Sequence, residues 1–192
     1  MRTDIRFHGP ILLIIRGIPG AGKSHIAAKL QKMLGAAIIL DPDAIDKAGN
    51  DYTNLCRTLS AKGVDPKLYP YRFLRANAYN AITDHNSIIW NQAFTDFEGL
   101  QKTINRLQAF AAEHTIELPV LIVEVEVDVA IARQRVVWRE SQGDHGVPEE
   151  VFDHFVKRYK SFAGKGYPTV TVSGEGDVAQ SVATVAHALA TL

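Results

Sequence analysis

Cysteine is nearly missing from this chain of 192 residues. Cys56 stands alone, so no internal disulfide can form and no cysteine zinc site can be assembled. A reducing compartment suits such a chain, and the cytoplasm is the expected location. Net charge is missing as well, because 21 Lys and Arg residues offset 21 Asp and Glu residues. The broad basic surface of a nucleic-acid binder is therefore not expected, and a small-molecule partner is favoured. No apolar run is long enough to span a bilayer. The first run, Ile11 to Ile15, follows charged N-terminal residues and is too short for a signal peptide or anchor, so neither is expected. Repeats, low-complexity tracts and interdomain linkers are not seen. With 46% hydrophobic residues, the chain reads as one well-cored domain over residues 1–192.

What is present is concentrated in Gly17-Ile18-Pro19-Gly20-Ala21-Gly22-Lys23-Ser24, which fits the phosphate-binding pattern G-x-x-x-x-G-K-[ST]. Its context matches its chemistry. Ile11 to Ile15 reads as a strand buried on both faces, and Ile26, Ala27, Leu30, Met33 and Leu34 recur at helical spacing until Gly35. Glycines without Cβ atoms let backbone N–H groups wrap a polyphosphate, and the following helix presents its positive end. Lys23 is expected to reach the β- and γ-phosphates and Ser24 to ligate Mg²⁺. The expected nucleotide-binding set is Gly17, Pro19, Gly20, Ala21, Gly22, Lys23, Ser24, His25 and Arg135.

Strands and helices then alternate. Ala36 to Leu40, Ser87 to Trp90, Pro119 to Val127 and Thr169 to Val172 read as strands. Helical periodicity covers Tyr71 to Asp84, Phe97 to Glu113, a stretch capped by Asp128, one opening near Pro148, and a last one capped by Asp177. From Asp46 to about Pro70 the chain reads as loops with one short helix around Leu55 to Leu59. This alternation predicts an α/β fold with a five-stranded parallel sheet between layers of helices.

Nucleotide binding alone is not a reaction. Phosphoryl transfer also needs a group orienting the acceptor hydroxyl and positive charge on the moving phosphoryl. Asp41 and Asp43 lie two apart after the second strand; on extended backbone both would face Lys23 and Ser24 if that strand neighbours the first. Asp43 is the expected acceptor-orienting base and Asp41 the metal-side ligand. Asp-Pro-Asp also reads as a simple capping turn. Arg133, Arg135 and Arg139 precede a glycine-containing segment suited to a lid, with Arg135 and Arg139 on one helical face, although a solvated face accounts for each singly. Arg72 and Arg75 could hold an anionic acceptor, but surface salt bridges are the more ordinary reading. Trp90 and Trp138 read as packing residues, and His85, His145 and His154 lack metal-ligand spacing.

The Gly17–Ser24 loop, Asp41-Pro42-Asp43, the Arg135 and Arg139 pair, and Gly146-Val147-Pro148 followed by Val151, Phe152 and Tyr159 together resemble the small P-loop kinases of the polynucleotide kinase and zeta-toxin kind, within the AAA-like P-loop NTPase superfamily. The likeness runs from about Pro10 to Phe162. It implies a three-layer, nucleoside-kinase-like fold, ATP as phosphate donor with Mg²⁺, Asp43 as the base acting on an acceptor hydroxyl, and Arg135 and Arg139 as lid arginines. The acceptor would sit against the variable region of about 46–79, under a lid of about 135–148. Its identity does not transfer, because related kinases act on nucleic-acid ends, nucleotide sugars, antibiotics and small hydroxy acids. One departure stands out. Such kinases often carry an acidic residue at the end of the third strand, where this chain has Asn91 and Gln92, and a neutral amide brings no negative charge to a magnesium shell. Asp41 is expected to take that role; otherwise activity is weak or lost. Two further readings stay open: a nucleotide-binding regulatory protein, and an ATPase stimulated by a protein partner.

Overall fold

The computed structural model describes residues 9–143 and 146–192. Outside it lie the charged N-terminal stretch and two residues of the expected lid, Asp144 and His145. The strands are β1 (Leu12–Arg16), β2 (Ala37–Leu40), β3 (Ser87–Asn91), β4 (Val120–Glu126) and β5 (Thr169–Ser173). The helices are α1 (Lys23–Leu34), α2 (Asn50–Ala61), α3 (Tyr69–Thr83), α4 (Phe97–Glu113), α5 (Val129–Ser141), α6 (Glu149–Arg158) and α7 (Val178–Leu189). The five strands form one parallel sheet in the order β2-β3-β1-β4-β5. Among the described residues no helix is long and apolar enough to cross a membrane.

β1 is central, with Leu13 in register with Ile89 of β3 on one side and Leu121 of β4 on the other. Its unbroken apolar run follows from that position, since side chains of alternating direction both meet helices. Leu13 and Ile15 join a core completed by α1, α5, α6 and α7 through Ile26, Leu30, Val136, Phe152 and Val185. Leu12 and Ile14 face the opposite core, where α3 and α4 contribute Leu74, Ala78, Leu100, Ile104 and Leu107. Each fully buried aliphatic side chain contributes about 1.5–3 kcal/mol relative to exposure.

Two expectations change here. β2 does not neighbour β1, because β3 lies between them. The short helix expected around Leu55 to Leu59 is present but longer, 12 residues over Asn50–Ala61 (α2), and is followed by a 3-10 turn at Pro66–Leu68. No residue of α2 is fully buried. Tyr52 meets Phe73 edge-to-face at 5.3 Å, and Leu55, Cys56 and Leu59 are partly buried, so the helix is anchored along one side. Pro70, read there as a breaker, lies in the first turn of α3, where its missing N–H costs nothing.

Two charged residues lie inside the core. Arg16, the last residue of β1, is fully buried and paired with equally buried Glu124 of β4. Its guanidinium also donates to the Phe94 carbonyl (3.1 and 2.9 Å) and the Lys160 carbonyl (2.8 Å), beneath the ring of Phe162 at 3.5 Å. Glu124 accepts from Ser161 Oγ (2.5 Å) and the Phe162 N–H (2.7 Å). The pair thus ties two central strands to the loop before α4 and the segment after α6. Removing one partner strands the other in a dry interior. Arg16→Met is expected to cost about 3–5 kcal/mol, whereas Arg16→Met with Glu124→Leu recovers much of that loss. Equilibrium urea denaturation reads both, and a single variant no less stable than the double variant would show that the two charges are not coupled.

Candidate active site

The loop from Gly17 to Ser24 follows β1 at the C-terminal edge of the sheet, where strands of an open α/β sheet leave space for ligands. It is wedged between α5 and the turn after β5. Gly20 has a φ of 82°, and a Cβ there would lie 2.2 Å from the Ala132 carbonyl oxygen of α5. A Cβ on Gly174, just past β5, would lie 2.0 Å from the Ala21 carbonyl oxygen. Only glycine allows these approaches. Left-handed Gly22 is the N-cap of α1 and supplies no side-chain acceptor, so the helix presents uncapped donors to the cleft.

Lys23 bends back and donates to the Ile18 carbonyl at 3.0 Å. Its pKa is lowered to about 8, chiefly by burial and also by Arg139, while Asp41 and Asp43 oppose the shift. A cation in this state is short of negative charge. Beside it, Asn91 at the end of β3 joins two expected site residues: its Nδ2 donates to Ser24 Oγ at 3.0 Å and to Asp41 Oδ2 at 2.6 Å. The β3 position between β1 and β2 is what makes this bridge possible. Asn91 Oδ1 is buried without a hydrogen-bond partner, an orphan acceptor of the kind that asks for a donor or cation. Burial raises the Asp41 pKa, and Asp43 adds to the rise; the Asp43 N–H, Asn91 and Lys23 counter it. Ser24 Oγ and Asp41 Oδ2 are therefore two hard oxygens held together by one Asn91 amide, a pair that fits part of a magnesium shell.

Asp41 keeps extended backbone (φ −134°, ψ 119°), but Asp43 lies within the 3-10 turn Pro42–Ala44. The two-residue alternation expected of a strand does not hold across them. Asp41 Oδ1 accepts from the Asp43 N–H at 2.9 Å, so the capping-turn reading is correct in part. Both side chains nevertheless line the same cleft, and the Asp43 carboxylate is exposed to it. That cleft, of about 1670 Å³, also takes in Pro19, Gly20, Gly22, Lys23, Ser24, His25, Arg135 and Arg139.

The three arginines separate. Arg133 bonds Glu149 (3.1 Å) and Asp153 (2.6 Å) on α6, so it braces helices rather than facing the cleft. Arg135 donates to the carbonyls of Gly174 (2.8 Å) and Gly20 (3.3 Å), joining the phosphate loop to the turn after β5. Arg139, one helical turn on, lies close enough to Lys23 to depress its pKa. Trp90 is buried as expected, but Trp138 is 64% exposed at the cleft rim and is not a packing residue. The salt bridges expected of Arg72 and Arg75 are not formed among the described residues. Sequence reading missed the Asn91 bridge, which needed the strand order, and Arg106 of α4, which lines the cleft and carries no motif.

Residues 12–162 match the family model of an AAA domain. No curated protein sequence matches the chain. Among solved structures, the gluconokinase from Sinorhizobium meliloti 1021 is 16% identical, with 97% of this chain and 94% of that chain covered at a TM-score of 0.58. Deoxyadenosine kinase from M. mycoides with bound dATP is 20% identical, covering 93% and 98% at 0.55. The PezAT toxin-antitoxin structure from Streptococcus pneumoniae is 15% identical, covering 88% and 69% at 0.61. At these identities the likeness is one of fold, that of small P-loop kinases.

Two outcomes follow from the electrostatics. A triphosphate settling against Lys23 favours its charged form, so affinity is full below pH 8 and falls above it by about tenfold per pH unit while Lys23 must be reprotonated. Calorimetry in buffers of different ionisation enthalpy reads the matching proton uptake, and an affinity flat on both sides of pH 8 would contradict it. Asn91→Asp sets a second carboxylate against Asp41, raising the pKa of the pair above its unfolded value. Its stability deficit is then full above the raised pKa and vanishes as pH falls, which thermal melts across pH measure.

Proposed function

The chain belongs to the AAA-domain family, and from that premise we propose that it is an ATP-dependent kinase transferring the γ-phosphoryl group to a hydroxyl of a small molecule or nucleotide derivative. The observation that carries this reading is the continuity of the cleft. It runs from Lys23 and Ser24, across Asn91, to Asp41 and the exposed carboxylate of Asp43, and onward between α3 and α4. A hydrolase needs room for water; this cleft has room for an acceptor.

In the proposed reaction the loop N–H groups and the N-terminus of α1 hold the β- and γ-phosphates, with protonated Lys23 against them. Ser24 and Asp41 would hold a magnesium ion, which would supply neutralisation of the phosphate charge. Asn91 keeps Ser24 and Asp41 in place. Asp43 orients the acceptor hydroxyl and takes its proton as the hydroxyl oxygen bonds to the γ-phosphorus and the bond to the β–γ bridging oxygen breaks, leaving ADP. Arg139 meets the charge that spreads over the moving phosphoryl, and Arg135 keeps the phosphate loop and the turn after β5 in register while contacting nucleotide. The partner-stimulated ATPase reading is disfavoured by Gln92, whose Oε1 accepts Trp90 Nε1 at 3.1 Å and is thereby withdrawn from orienting a water.

Wild-type and Asp43→Ala protein, incubated with γ-labelled ATP, magnesium and a small-molecule extract, test the assignment. A labelled product is expected whose formation drops about 10²- to 10⁴-fold in the variant, with ATP affinity unchanged. Free phosphate released equally by both proteins would replace the kinase with a hydrolase, and ATP binding without turnover would leave a nucleotide-binding switch.

A further inference from the structure

α3 leads into β3 and α4 leads out of it, so both helices start at the edge of the sheet that carries the phosphate loop. They meet through Tyr79 and Phe110, whose rings stack at 4.2 Å between centroids and 21° between planes. One helical turn nearer the cleft on each helix stands an arginine: Arg75 four residues before Tyr79, and Arg106 four residues before Phe110. Both line the cleft, together with Tyr71 of α3 and Thr103 of α4. Neither forms an ion pair among the described residues.

The nearby carboxylates are engaged elsewhere or stand apart. Asp96, which also lines this wall, accepts from the N–H groups of Glu98 and Gly99 as the N-cap of α4. Asp41 is held by Asn91 and the Asp43 N–H. Asp43 forms no ion pair with either arginine. Arg75 is half-buried, and burial together with the like charges of Arg72 and Arg106 depresses its pKa, with Tyr79 opposing. Two guanidinium groups brought together without a counter-charge repel each other, and an anion between them removes that repulsion. Guanidinium forks match carboxylate and phosphate oxygens in shape as well as charge.

We propose that the acceptor is an anionic hydroxy compound, carrying a carboxylate or a phosphate, which Arg75 and Arg106 grip so that its hydroxyl turns towards Asp43. This rests on the kinase reading, since it names the class of molecule that the same cleft takes. The anion sets specificity; Arg75 and Arg106 act on binding, while the transfer step belongs to Lys23, Asp43 and Arg139. A neutral sugar or nucleoside would fill the cleft and leave both arginines unpaired.

The test uses protein filled with magnesium and a non-hydrolysable ATP analogue, so that Lys23, Arg135 and Arg139 are already occupied. Gluconate, ribose phosphate and a nucleoside monophosphate are titrated calorimetrically beside glucose, ribose and the parent nucleoside. At least one anion is expected to bind while its neutral counterpart binds at least tenfold more weakly, with affinity falling roughly tenfold for each of Arg75→Gln and Arg106→Gln. Arg57→Gln, on α2 and away from the cleft lining, where Arg57 bonds only Asn54, is expected to leave that affinity unchanged. The carboxylate and phosphate arms tell the two anions apart. The proposal is overturned if no anion binds the analogue-filled protein, or if binding survives intact in the doubly substituted protein. The same compounds with labelled ATP separate the two readings. KM rising with kcat kept in the double variant supports the anion site. Anion binding without phosphorylation removes the kinase and leaves the site, and neutral acceptors phosphorylated with unchanged KM remove the site and leave the kinase.

Discussion

The buried pairing of Arg16 with Glu124 is the constraint on which the cleft depends. Arg16 is the residue before Gly17, so its position sets where the phosphate loop leaves the sheet. Its other bonds reach Phe94, three residues past Asn91, and Lys160, just past the helix that Arg133 braces. One guanidinium therefore couples the floor of the loop, the end of β3 and the return of the chain from α6. Desolvating two charges is expensive, and hydrophobic replacements of similar volume often do as well for stability. What the ion pair supplies is direction, because each of its bonds has a required geometry that apolar packing lacks.

Above that floor the site is left electrostatically unfinished. Lys23 is held in a setting that disfavours its charge, Asp41 in one that disfavours its own, and Asn91 Oδ1 has no partner. A phosphate group set against Lys23 would answer the first deficit, and a cation set against Asp41 the second.

Much of this was legible in advance. The phosphate loop, the five strands and their parallel arrangement follow from a motif with strict chemistry and from strands apolar on both faces. The strand order was not legible: nothing in Ala37–Leu40 states that β3 rather than β1 lies beside it, and the Asn91 bridge exists only because of that order. α2 was legible only at its centre, around Leu55 to Leu59, because Gly49 opens it without a side-chain cap and none of its residues is fully buried. Asp41-Pro42-Asp43 allowed both a continued strand and a capping turn, and only the structure chooses the 3-10 turn over Pro42–Ala44. Arg106 could not be told from a solvated arginine without the Tyr79 and Phe110 contact that sets it beside Arg75. Residues whose role is local could be read singly, whereas those whose role depends on a partner far along the chain could not.

The wall formed by β2, α2 and α3 stands at the edge of the sheet, four residues wide at the strand and without a fully buried residue in α2. α3 puts Leu74, Ala78, Ala81 and Ile82 into the core, so within this wall only α2 can change shape with little disturbance to it. The two sides are thus held by different means: backbone contacts at Ala132 and Gly174 leave no room for a side chain in the phosphate loop, while α2 has no fully buried side chain to lose. Substitutions on α2 therefore leave both cores intact, whereas a side chain at Gly20 would push α5 away from the loop.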